Sequence, residues 1–217
     1  MNRLQKIKQF QFYLAAQSVA ALIYYGTMHI MLSKPNELGI TFIDRAIAFN
    51  NVSGYIYLSF FFLVFISIVN AKADISRQCA MAIVMNSVAA GIIFILFPTK
   101  MPDSVYQIEP GISGGILEFI RNDDRNLNCF PSMHISNAFT AVYFLNTGKS
   151  RVVKCFLWSW FGLIAFSVIS TRQHCFYDIL GGILLAVVNV AILKKFGGKS
   201  LEEPVSTPIQ VSGMERG

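Results

Sequence analysis

Two short polar segments interrupt an otherwise apolar chain: Asn128-Cys129-Phe130-Pro131-Ser132-Met133-His134 and Thr171-Arg172-Gln173-His174-Cys175-Phe176-Tyr177-Asp178. Each stands at the mouth of an apolar run. Pro131 suits the first position of a helix, because its missing N–H would be unpaired there anyway. The amides of Ser132, Met133 and His134 would then lie at a helix start, where backbone N–H groups and the helix dipole favour an anion such as phosphate. One turn on, His134 can reach that anion and exchange a proton near neutral pH. In the second segment His174 and Asp178 stand four residues apart, so both share one face if a helix has begun there. A carboxylate on one ring nitrogen holds the tautomer and leaves the other lone pair directed outward, as a histidine nucleophile requires. Arg172 offers a planar fork to phosphate oxygens, and Lys100 a second cation. Together these residue types point to attack on phosphorus.

Plainer readings exist for each. His134 and His174 also suit a pair of buried, hydrogen-bonded helix-end histidines. Ser132 caps a helix with or without donating to phosphate. Lys100 ends an apolar run, where lysines commonly snorkel to headgroups. Arg121 and Arg125 read as loop charges paired with Asp123 and Asp124, and His29 as a packing or interfacial residue. The four cysteines show no metal-ligand spacing, and Cys129 and Cys175 fall close enough to the two histidines for a bridge between the segments to be conceivable.

The elements that must position these residues follow from composition. Of 217 residues, 54% are hydrophobic and 14% charged, against about 25% charged in a soluble domain. Lipid is the expected solvent, and 19 Phe with 8 Tyr suit acyl chains and the headgroup belt. Six apolar stretches can be marked at about 10–32, 54–71, 79–98, 131–147, 152–169 and 176–194, most of them near the ~17–25 residues needed to span hydrocarbon. The fourth is interrupted by Ser132, His134, Ser136 and Asn137, and polar residues inside a span are a functional hint. The first run has no small-residue cleavage site behind it and is expected to stay in the mature chain.

Six spans put both termini on one side. The net charge of +6 comes from basic residues in short connections, which read as topology signals more than as a nucleic-acid surface. Twelve of the eighteen Lys and Arg residues fall on the side of the termini, which makes that side cytosolic and the histidine segments extracytosolic. The long outer connection from Thr99 to Phe130 reads as a cap, with Ile112, Ile116, Phe119 and Ile120 at the spacing of a short interfacial helix. The expected architecture is an all-α polytopic bundle of six transmembrane helices over 1–196, with a polar, disordered cytosolic tail over 197–217.

At Pro131-Ser132-Met133-His134 and at His174-x-x-x-Asp178 the chain resembles the type 2 phosphatidic acid phosphatase superfamily. The resemblance implies a six-helix fold, no metal or other cofactor, and His174 as nucleophile through a phosphohistidine. It further implies that Asp178 orients His174 and that His134 protonates the leaving oxygen. Two departures stand out. Where the family's first signature carries an Arg-Pro pair after its Lys, Gln107 and Ile108 stand beyond Lys100. Arg172 also lies closer to His174 than the family's clamp arginine does, a form nearer the branch containing inositol phosphorylceramide synthases.

The expected function is therefore a metal-independent lipid phosphatase in the plasma (inner) membrane, with a phosphorylated lipid as partner, no nucleic acid and an active site on the extracytosolic or periplasmic side. Arg172, Ser132 and Lys100 are the expected phosphate ligands. Two alternatives stand beside it: a phosphotransferase moving a phospho-headgroup to a lipid alcohol, and a non-catalytic transporter or scaffold. A transporter should place its polar residues near midplane.

Overall fold

Backbone polar groups find no water in hydrocarbon, so a chain this apolar must close its hydrogen bonds within helices. Among the residues described by the computed structural model, 3–102, 107–124 and 126–196, eight helices do so. The tail expected over 197–217 lies outside the described residues. Six helices form the body: α1 (Arg3–Thr27), α3 (Ser53–Val69), α4 (Ala73–Leu96), α6 (Met133–Leu145), α7 (Arg151–Ser170) and α8 (Phe176–Phe196). Two more lie in connections, α2 (Phe42–Ala46) and α5 (Ile112–Asp124). The two-residue strands β1 (Asn36–Glu37) and β2 (Thr99–Lys100) pair in parallel and tie the loop after α1 to the loop after α4.

Helix α6 is the hub, packed against α3, α4, α7 and α8. Ten of its thirteen residues are buried, so its polar side chains face protein and not lipid. Asn86 on α4 meets them: its Nδ2 donates to the Ser136 carbonyl at 3.2 Å, to Asn137 Oδ1 at 3.2 Å and to Thr140 Oγ1 at 2.9 Å. Asn189 on α8 completes the set by donating to Asn86 Oδ1 at 2.9 Å. Buried amides left unpaired would each cost about 1–3 kcal/mol, so this network fixes the rotation of three helices about one another. Asn137, which looked functional in the sequence, serves as glue between helices, whereas the Ser136 hydroxyl turns back to the Met133 carbonyl of its own helix at 3.0 Å.

The outer surface is inverted relative to a soluble protein. Phe61, Phe62, Phe156, Phe166, Leu184 and Ile192 are all exposed, while the polar network is inside. Among the described residues three helices, α4, α7 and α8, are long and apolar enough to cross a membrane, and α3 is a shorter apolar helix. The interfacial helix expected in the cap forms as α5, but with a rotated face. Leu117 and Ile120 point inward while Ile112 and Phe119 stand exposed, because Ile116 packs over Gly54 and sets α5 against α3.

Glycine permits the closest helix approach. A Cβ on Gly182 of α8 would stand 2.6 Å from the Ser132 carbonyl oxygen at the head of α6, a backbone atom that cannot swing aside. We expect Gly182→Ala to lower the thermal midpoint in detergent, by the equivalent of about 1–3 kcal/mol of overpacking. Gly162→Ala on α7, where nothing lies within 4 Å of the new methyl, should be neutral or stabilising by up to about 1 kcal/mol. Equal melting of the two variants would contradict the α6–α8 contact.

Candidate active site

His174 owes its position to the way α7 ends. The Arg172 amide donates to the Ile169 carbonyl and the Gln173 amide to the Val168 carbonyl, both at 3.0 Å, the paired bonds of a Schellman turn. That turn needs one left-handed residue, and here it is Arg172 with φ +58° instead of the usual glycine. A side chain there costs about 1–2 kcal/mol. The guanidinium provides compensation: Nη1 donates to the Asp44 carbonyl at 2.8 Å and Nη2 to the Ile47 carbonyl at 2.9 Å. His174 follows at once, its own amide bonded to the Val168 carbonyl at 3.1 Å.

The pairing of His174 with Asp178 forms, although α8 begins only at Phe176 and His174 therefore precedes the helix. Nδ1 of His174 lies 3.4 Å from Asp178 Oδ2 and 3.0 Å from the Cys129 carbonyl oxygen. A carbonyl can only accept, so Nδ1 carries the ring proton and Nε2 keeps its lone pair. The Cys129 carbonyl thus shares the orienting work expected of Asp178 alone. Asp178 is also held from behind, since its Oδ2 accepts the Cys175 amide at 2.7 Å.

Helix α6 begins later than the sequence suggests. Ser132 is its N-cap, with Oγ accepting the Ile135 amide at 3.3 Å, so Pro131 stands outside the helix. The bond from Phe130 to Pro131 is cis. The Ser132 amide, expected to face an anion, donates instead to the Asp178 carbonyl at 3.0 Å. By helix geometry the amides of Met133 and His134 are the ones without intrahelical partners, and the Ser132 hydroxyl still has a proton to give.

His134 is half-buried, with its ring centroid 6.1 Å from that of His174. The Tyr57 hydroxyl lies 2.9 Å from its Nε2, and the Phe60 ring packs edge-on at 4.9 Å. His134 also lines a cavity of about 400 Å³, whose wall includes Tyr13, Gln17, Tyr24, Phe61 and Phe119. Lys100 is turned to Glu37, Nζ to Oε1 at 2.8 Å, in a pair exposed enough to contribute little to stability.

Sequence reasoning missed three contributors. Asp44, 3% exposed, is clamped by the Thr41 capping box and receives the Phe176 amide on Oδ1 at 2.8 Å. Its signal was there, a lone acid three residues after a threonine. Tyr57 looked like any aromatic in a span, and the Cys129 carbonyl, as backbone, leaves no mark in a sequence. Cys129 and Cys175 turn to different partners, Cys129 Sγ to the Asn126 carbonyl and Cys175 Sγ to Met101 Sδ, each at 3.5 Å, with no bridge between them. Among the described residues, Cys129, His174 and Asp178 are a group whose ligand atoms lie close enough to hold a metal ion.

An apolar helical bundle with two facing histidines, one of them held in a single tautomer beside a carboxylate, defines a membrane-type protein with a histidine-based polar site. A family model described as PAP2 superfamily matches residues 35–192, and the chain belongs to that type 2 phosphatidic acid phosphatase superfamily. Membership points to activity of the phosphatase or phosphotransferase type. No curated protein and no solved structure matches the chain.

Burial pushes the Cys175 thiol up to about 12, with the Asp178 and Asp44 carboxylates adding to the shift and Arg172 opposing it. Only the thiolate is nucleophilic, so Cys175 should resist alkylation near neutral pH and react only under strongly alkaline conditions. The exposed Cys155 should be modified readily in detergent. Peptide mass spectrometry after iodoacetamide treatment would check this, and fast labelling of Cys175 near neutral pH would contradict it.

Proposed function

We propose that the protein is an integral-membrane lipid phosphatase working by double displacement through a phosphohistidine at His174. One observation carries the reading: Nδ1 of His174 is committed to the Cys129 carbonyl and Asp178, so Nε2 is the nitrogen left to attack. In the first step Nε2 bonds to phosphorus while the bond from phosphorus to the lipid oxygen breaks, and a protonated His134 gives that oxygen its proton. In the second step His134 takes a proton from water as the water oxygen attacks phosphorus. The phosphorus–Nε2 bond then breaks and inorganic phosphate leaves.

Arg172 uses two of its five N–H donors on carbonyls, leaving others for phosphate oxygens, and the Met133 and His134 amides with the Ser132 hydroxyl supply the opposite side. Lys100 joins only by exchanging Glu37 for the phosphate. A lipid suits the aromatic cavity that His134 lines, whose lining residues on α1 extend from Tyr13 to Tyr25, with Tyr13 to Tyr24 covering about 16 Å at 1.5 Å per residue. That is about half the hydrocarbon thickness of a bilayer, the depth of one leaflet.

The topology we favour has six spans, α1, α3, α4, α6, α7 and α8, with cytosolic termini and the histidines facing outward. Deep polar residues argue against a transport path, because Asn86, Asn137, Thr140 and Asn189 satisfy one another. A lipid alcohol entering the same cavity in place of water would make the protein a headgroup transferase, a reading favoured by the apolar wall beside His134.

His174→Ala should abolish phosphate release from lipid phosphates while the protein still folds, with a thermal midpoint lowered by the loss of one buried hydrogen bond, about 1–3 kcal/mol, and normal turnover in that variant sinks the mechanism. His134→Ala should slow substrates with poor leaving groups by about 10²–10⁴-fold and good ones far less. Equal losses across the series would make His134 a positioning residue. If no phosphate appears until a lipid alcohol is added, and a transfer product then forms, the transferase reading replaces hydrolysis.

A further inference from the structure

The side chain of Cys129 has no part in the mechanism above, yet it lies beside the nucleophile. The ligand atoms of Cys129, His174 and Asp178 all fall within 4.8 Å of one another, and the three residues are 2%, 4% and 0% exposed. A sulfur, a nitrogen and an oxygen converge in a place closed to bulk water. A second observation points to a missing positive partner: Asp178 Oδ1 is buried and, among the described residues, receives no hydrogen bond. A carboxylate oxygen left so is costly, and a cation would relieve it.

We propose that Cys129, His174 and Asp178 form an inhibitory site for a thiophilic divalent cation, and that zinc is the ion it takes. The inference rests on the phosphatase reading for its consequence, but not for the binding itself. Donor chemistry selects the ion, because a thiolate beside imidazole and carboxylate favours zinc and disfavours magnesium or calcium. Zinc bonds of about 2.0–2.3 Å require the ligand atoms to draw together by about an ångström, within reach of side-chain rotation at Cys129 and His174, which precede α6 and α8, and at Asp178 in the first turn of α8. Three protein ligands leave a fourth position for water or a phosphate oxygen.

Inhibition follows from proton bookkeeping on the imidazole. Nδ1 is the ring nitrogen beside Asp178, so it is the one that would bind the ion. A neutral imidazole has a single N–H, and once the Nδ1 lone pair is on zinc the ring proton must sit on Nε2. Nε2 then has no lone pair for phosphorus. Binding also releases the Cys129 thiol proton to solvent, so affinity should rise with pH. The Cys129 carbonyl loses its hydrogen bond from Nδ1 in the same exchange.

The test uses the full chain, stripped with chelator, and measures both phosphate release and bound metal against zinc chloride. We expect one zinc per chain at this site, with inhibition reversed by chelator. Cobalt(II) in place of zinc should show a thiolate-to-cobalt charge-transfer band. Cys129→Ser should abolish that band and raise the half-inhibitory zinc concentration by at least about tenfold, each rate being scaled to the variant's own zinc-free rate. Cys175→Ser, whose sulfur faces Met101, should leave zinc sensitivity unchanged. Unaltered inhibition in Cys129→Ser, or cobalt bound without a thiolate band, overturns the site. A chelator-stripped enzyme that is inactive until zinc is restored overturns the inhibitory role. Should the protein release no phosphate from any lipid, a cobalt band lost in Cys129→Ser still upholds the site, and it is the phosphatase reading that fails.

Discussion

The structure turns on the junction where α6 and α8 begin. The Ser132 amide donates to the Asp178 carbonyl, His174 Nδ1 donates to the Cys129 carbonyl, and Gly182 lets the two backbones meet without a side chain between them. The first amides of a helix lack intrahelical partners, so the Ser132 amide at the head of α6 takes its acceptor from the first turn of α8. This arrangement sets the distance between the histidines at the level of the main chain. Side-chain rotamers then need only small adjustments, which is the kind of support that keeps reacting groups in register.

A second constraint comes from the short α2, far away in sequence. Asp44 occupies the Phe176 amide at the start of α8, while its own carbonyl receives Arg172. The left-handed backbone at Arg172 would be cheaper with glycine, but glycine could not reach α2. The strain is therefore tied to a side chain that bridges two connections around His174. Arg172 is in this sense both a turn residue and a brace between the turn before His174 and the region of α2.

Helix α6 shows how lipid as solvent changes the meaning of polarity. At thirteen residues it is about 20 Å long, shorter than the ~30 Å hydrocarbon core, and it survives because four other helices enclose it. Enclosure makes room for Asn86, Asn137, Thr140 and Asn189, which would be intolerable on the lipid-facing side. The large apolar side chains displaced from the interior stand outward, where hydrocarbon accepts them.

What the sequence determined by itself was whatever follows from local spacing and from solvent. Apolar runs of helical length set the number and rough limits of the main helices, and the two polar segments at their mouths marked His134, His174 and Asp178 for one site. The same local logic failed where a residue's role depends on a distant partner. Pro131 fitted a helix start in isolation, but the cap is Ser132, because its amide is drawn to the Asp178 carbonyl on another helix. Asn137 read as functional until Asn86, about fifty positions away, turned out to be its partner. Asp44 and Tyr57 could not be placed beside the histidines by any spacing, nor could the Cys129 carbonyl, since long-range backbone contacts leave no trace in residue identity. The fold decided those contacts, and with them which nitrogen of His174 keeps its lone pair.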